Sequence, residues 1–130
     1  MAIQIKNIEG ECFEATNGDF LLRAGSCGDK TKIESSISPG KLFLVSLGMC
    51  VGTYLVRFCK RHEIDHQNLI VNLNYEDSED PPKIEKIEIS IDLDVNEKYR
   101  PALLRVAEQC YVKQTIQKEL ELNYNFAVTE

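Results

Sequence analysis

The chain is short of positive charge: 15 lysines and arginines face 21 aspartates and glutamates across 130 residues, for a formal net charge of −6 and a pI near 5.0. Nucleic acid is therefore excluded as a partner, because phosphate backbones require a basic face. There are only two histidines, His62 and His66, too few to build a histidine-rich metal centre. The sequence has no Cys-x-x-Cys, no glycine-rich phosphate loop and no Ser-His-Asp order. The opening segment, residues 1–6, lacks the apolar core and small-residue cleavage site of a signal peptide, which predicts a cytoplasmic protein. Residues 42–56 carry no charge, but fifteen residues are too few to span a bilayer and read better as a buried helix, so no membrane partner is expected. Five cysteines make an odd number at spacings that match no secreted disulfide framework, so reactive or buried thiols in a reducing compartment are expected.

What is present suits one soluble domain, residues 1–130, large enough for a single core without metal or disulfide staples. Residues 3–8, 11–15 and 19–24 alternate partially as strands, with Asn17-Gly18 as a hairpin signal, because both residues accept positive φ. A polar loop, residues 25–38, follows, long enough for either a binding loop or a plain crossover. Ser38 as N-cap and Pro39 at the first helical position open a helix to about His62. That helix is apolar on nearly every side, which one small subunit cannot cover, and this predicts burial against a partner. Its polar residues Ser46, Cys50, Thr53 and Arg57 form one stripe, and Cys59 lies about 180° from Cys50. Strands are expected over 68–75 and 84–94 with a turn at 77–82. A second helix ends at Cys110, a short one covers 112–120, and a last strand covers 122–128.

Two thiols carry the chemistry. Cys50 sits in the charge-free run, and Cys110 shares an apolar helical face with Leu103, Val106 and Ala107. Free cysteine is often simply a small core residue, and that reading stands beside the functional one. The functional one is peroxide chemistry, in which one thiolate becomes a sulfenic acid and a second thiol condenses with it. Arg57, two turns from Cys50, is a candidate cation for that thiolate. His62-Glu63-Ile64-Asp65-His66 matches the zinc-protease pattern literally, but at a helix end and without a third ligand, so no metal is expected.

Pro39-x-x-Leu42, Leu47-Gly48-Met49-Cys50 and Ala107-Glu108-Gln109-Cys110-Tyr111-Val112 resemble the paired cysteine motifs of the OsmC/Ohr family, the osmotically inducible and organic-hydroperoxide-resistance proteins. The resemblance runs from about Asn17 to Val128. It implies an α+β fold of intertwined homodimers with β3-α-β2-α2-β subunits. It also implies oxidative-stress defence with Cys50 as peroxidatic and Cys110 as resolving cysteine. The substrate would be a small hydrophobic hydroperoxide and the reductant an external dithiol, with no bound cofactor. Three positions depart from the family's hydroperoxide reductases. Gly40 stands where they carry a glutamate, no arginine precedes Arg23, and Tyr111 replaces a proline. The sequence is thus closer to the OsmC-like branch, for which a small-molecule-binding or thiol-sensing protein on the same fold is the alternative.

Overall fold

The computed structural model describes residues 2–27 and 37–128, which form two compact units, Met1–Ser46 and Leu47–Glu130. In the first unit, β1 (Gln4–Glu9), β2 (Cys12–Thr16) and β3 (Leu21–Gly25) pair antiparallel in the order β1-β2-β3. Gly10 turns the chain at φ +49°, and the Asn7 side-chain amide donates to the Gly10 and Cys12 carbonyls at 3.0 and 3.1 Å. Asn17 and Gly18 do lie in the β2–β3 turn, with Gly18 at φ +99° and the Asp19 N–H donating to Asn17 Oδ1 at 3.0 Å. Most of the expected 25–38 loop lies outside the described residues.

Helix α1 (Pro39–Arg61) begins in the first unit and continues into the second. Its start follows the N-cap expected from sequence: the Lys41 N–H donates to Ser38 Oγ at 3.3 Å. With 23 residues and a mean hydropathy of 1.8 over its most apolar stretch, α1 is long and apolar enough to cross a membrane, which the fifteen-residue run had not suggested. Only part of it is covered within the chain. Leu47, Val51, Leu55 and Cys59, four apart, form one buried ridge, whereas Met49 is 70% exposed. The hydroxyls of Ser46 and Thr53 donate to carbonyls of their own helix, at 2.7 and 2.8 Å.

In the second unit, β4 (Gln67–Glu79) and β5 (Pro82–Asp94) make one long antiparallel hairpin that turns at Asp80 and Pro81. The expected turn at 77–82 is thus too wide. Alternation stops at Glu76, yet pairing continues past a register shift, because backbone hydrogen bonding does not need an apolar side chain on either face. Leu69, Val71 and Leu73 of β4 and Ile87, Ile91 and Leu93 of β5 pack against the α1 ridge. An alanine Cβ at Gly48 would come within 2.8 Å of Leu73 Cδ1, so the missing side chain lets α1 lie close on β4. A 3-10 turn (Glu97–Tyr99), α2 (Arg100–Ala107) and α3 (Tyr111–Gln117) follow.

Two expectations fail here. The second helix stops at Ala107, where the Gln109 N–H bonds the Val106 carbonyl at 3.1 Å and tightens the chain out of the helix. Cys110 is therefore the residue before α3 and not part of α2's face, although it is buried as expected. Residues 122–128 form no strand: Leu122, Tyr124, Phe126 and Val128 alternate but stand exposed, with no neighbouring edge among the described residues. A strand exists only through pairing, so the alternation alone was insufficient.

Gly25 has φ +99°, and a Cβ there would fall on the Glu11 carbonyl oxygen, a backbone atom that cannot step aside. Gly25→Ala combines backbone strain with a clash, and the expected loss is about 3 kcal/mol by denaturant unfolding. A loss below about 0.5 kcal/mol would show that the strand end can relax around it.

Candidate functional site

Cys50 and Cys110 come together in the second unit. Cys50 is half-buried on α1, and Cys110 has no exposed surface. Both are free thiols, and they lie close enough for Cys50 to raise the pKa of Cys110. Cys110 owes its position to the break between α2 and α3. Its backbone is extended (φ −65°, ψ 152°) as the residue that caps α3, and its carbonyl accepts from the Gln114 N–H at 3.0 Å. Burial pushes the Cys110 thiol above its ordinary value, the Lys113 N–H opposes this, and the neighbouring Cys50 raises it further. Cys110 is therefore protonated at neutral pH.

Cys59, the third free thiol, is buried in the core and also raised by desolvation. For both buried thiols the folded state holds its proton more tightly than the unfolded chain. Their contribution to stability is fully present below the ordinary thiol range and is lost as pH rises through the raised folded values. Unfolding free energy should fall above about pH 9 and fall less in Cys59→Ala, measured by denaturant titration across that range.

A cavity of about 230 Å³ touches the pair through Cys110 and is lined by Leu47, Val51, Ile89, Leu104 and Lys113. A neighbouring one of about 340 Å³ shares Ile89, Ile91 and Leu104 and ends at Arg100. Arg100 is held by Glu97 at 2.9 Å. In the first unit Arg23 pairs across the strands with Glu14, also at 2.9 Å. Arg57 is exposed on the Cys50 stripe. Around Gly40 an added Cβ would meet no atom within 4 Å.

The zinc-protease pattern is not carried by one helix. Helix α1 ends at Arg61, Glu63 takes φ +52°, and the Ile64 N–H closes back on the Cys59 carbonyl at 2.8 Å. His62 stacks on Phe58 with ring centroids 4.4 Å apart, and a His66 ring nitrogen sits 3.1 Å from the Ile64 carbonyl oxygen. The two rings are separated by a chain reversal, so purified protein should hold no stoichiometric zinc by elemental analysis. Zinc lost on His62→Ala would overturn this.

Sequence reasoning missed one pairing. Cys12 and Cys27 are joined by a disulfide, Cα atoms 4.7 Å apart, so the expectation of free thiols throughout fails for these two. Counting cysteines could not reveal it. The β2–β3 register does, because Cys12 lies opposite Gly25, two residues before Cys27.

Two neighbouring free thiols thus stand beside an apolar cavity on an α+β frame. The family model described as OsmC-like protein matches residues 29–125, and the chain belongs to that family. Solved structures share the fold. An OsmC like protein from Mycoplasma pneumoniae superposes with TM-score 0.72 at 15% identity, covering 89% of this chain and 86% of that one. A hypothetical protein from Aquifex aeolicus gives 0.74 at 21%, with the same coverage. An organic hydroperoxide resistance protein OsmC from Legionella pneumophila gives 0.61 at 17%, covering 90% of each. No curated protein matches the sequence.

Proposed function

We propose that this protein reduces small hydrophobic organic hydroperoxides in the cytoplasm as part of oxidative-stress defence, using electrons from an external dithiol. The observation that carries the reading is the adjacency of a half-buried thiol, Cys50, and a buried, protonated one, Cys110, beside an apolar cavity. The Cys50 thiolate attacks the outer peroxide oxygen, the O–O bond breaks, and the alcohol leaves. Cys110 then attacks the sulfenic sulfur, the S–S bond forms, and water leaves. Two exchanges with the dithiol restore both thiols. No cofactor is needed. The Legionella protein and OhrB of Bacillus subtilis, which shares the fold, are organic hydroperoxide resistance proteins, which supports the substrate class here. The test is dithiol-dependent hydroperoxide consumption by the wild-type chain.

Gly40 favours a second reading. With open space where the family's reductases place a glutamate, a binding or thiol-sensing protein would keep the cysteine pair without turnover. Absence of steady consumption together with one-equivalent Cys50 oxidation would select it.

The working form in this proposal is an intertwined homodimer. A second copy would cover the exposed face of α1 around Met49 and supply an edge for the alternating Leu122, Tyr124, Phe126 and Val128. Sedimentation should give about twice the 14.8 kDa chain mass. A stable folded species at the single-chain mass would overturn it.

A further inference from the structure

Met1–Ser46 has little core. Among its described residues only Cys12, Cys27 and Leu44 are buried, while Ile5, Phe13, Leu21 and Leu22 are exposed. Two of those three buried residues are the disulfide-linked pair. Their meeting is prepared by the backbone. Gly25 at φ +99° folds the end of β3 over the start of β2, the Ser26 N–H donates to the Glu11 carbonyl at 3.0 Å, and Cys27 arrives beside Cys12. A Cα separation of 4.7 Å lies within the roughly 4.4–6.8 Å that a disulfide spans. From the same corner the Gly25 N–H reaches the Ile37 carbonyl at 2.8 Å, just ahead of the Ser38 cap of α1. The corner therefore fixes the strands and the chain's entry to the helix that bears Cys50.

We infer that Cys12 and Cys27 form a second thiol–disulfide couple, separate from Cys50 and Cys110, whose closing and opening switches the order of the N-terminal strands. Closing takes two electrons from the two thiols. One thiolate attacks a hydroperoxide's outer oxygen and releases the alcohol, and the second thiol displaces water from the sulfenic acid to form the S–S bond. Opening returns two electrons from a dithiol through a mixed disulfide. The two couples stand in different states in one chain, with Cys12–Cys27 joined while Cys50 and Cys110 are free thiols. Because so little apolar packing backs the strands, breaking the bond leaves them held chiefly by their ladders.

The experiment uses full-length Cys50→Ser/Cys110→Ser protein, so the outcome does not depend on peroxidase activity. Dithiothreitol under native conditions should open Cys12–Cys27, speed amide exchange across Gln4–Gly25 about tenfold or more, and lower the melting temperature by roughly 10 °C. One equivalent of cumene hydroperoxide should rejoin the pair, as shown by peptide mapping, and restore both readings. The same cycle in the wild-type chain, with both pairs mapped, guards against a folding defect of the variant. A bond that native dithiol cannot open would overturn the switch. So would exchange that does not change on opening, or a pair that peroxide does not rejoin.

Discussion

Cys50→Ser should lower dithiol-dependent hydroperoxide consumption by about a hundredfold or more, leaving only the slow turnover of the Cys12–Cys27 couple. A serine hydroxyl is not ionised at neutral pH and cannot accept the peroxide oxygen as a reducible sulfenic acid. The other thiols cannot match Cys50. Cys59 lies on the far side of α1 inside the core, Cys12 and Cys27 react only after a dithiol has opened their bond, and Cys110 has no exposed surface and holds its proton. Cys110→Ser should behave differently. The first equivalent of peroxide is consumed at close to the wild-type rate. Cys50 then stalls as sulfenic acid and proceeds to sulfinic acid under excess peroxide. Mass mapping after one equivalent should find Cys50–Cys110 in the wild type and singly oxidised Cys50 in the variant. Consumption in Cys50→Ser close to the wild-type rate, or a first oxidation at Cys59, would remove the assignment.

The parts of the fold legible in the sequence were those in which one local rule acts alone. Ser38-Pro39 opened α1 because a cap and a proline at the first position both act within one turn. The β4–β5 hairpin was visible in the alternation of Leu69, Val71 and Leu73 against Ile87, Ile91 and Leu93. Where two rules met, reading the chain alone was insufficient. Helical periodicity continued to Cys110, yet the chain left α2 at Ala107, and Cys110 became the residue that caps α3. The 122–128 alternation needed an edge that lies elsewhere. The Cys12–Cys27 bond followed from register and from the positive φ of Gly25, neither of which is a composition signal. The Cys50–Cys110 pair was found through family resemblance, since residue pattern left a buried-core reading open. The structure adds their proximity and their unequal exposure.

Leu55→Ala should cost about 3–5 kcal/mol, close to the whole stability of a marginal domain. Leu55 is 1% exposed and stands in the buried ridge of α1 between Val51 and Cys59, in the cluster that also holds Leu103 and Ala107. It also forms part of the wall of the roughly 340 Å³ cavity. Truncation enlarges a space that already exists, and β5 and α2 are each fixed by their own backbone ladders, so collapse around the gap is limited and the cost falls at the upper end. Leu104 provides the control. It lines the same cavity but is 54% exposed, so Leu104→Ala should cost less than about 1 kcal/mol. The measurement is urea unfolding at one fixed protein concentration, because association would otherwise shift the midpoint. An unchanged slope with a large midpoint shift for Leu55→Ala and a small one for Leu104→Ala is the expected pair of results. If the two variants lose equal stability, the buried ridge is not the core of the unit, and the exposed face of α1 carries as much of the packing through a second copy of the chain.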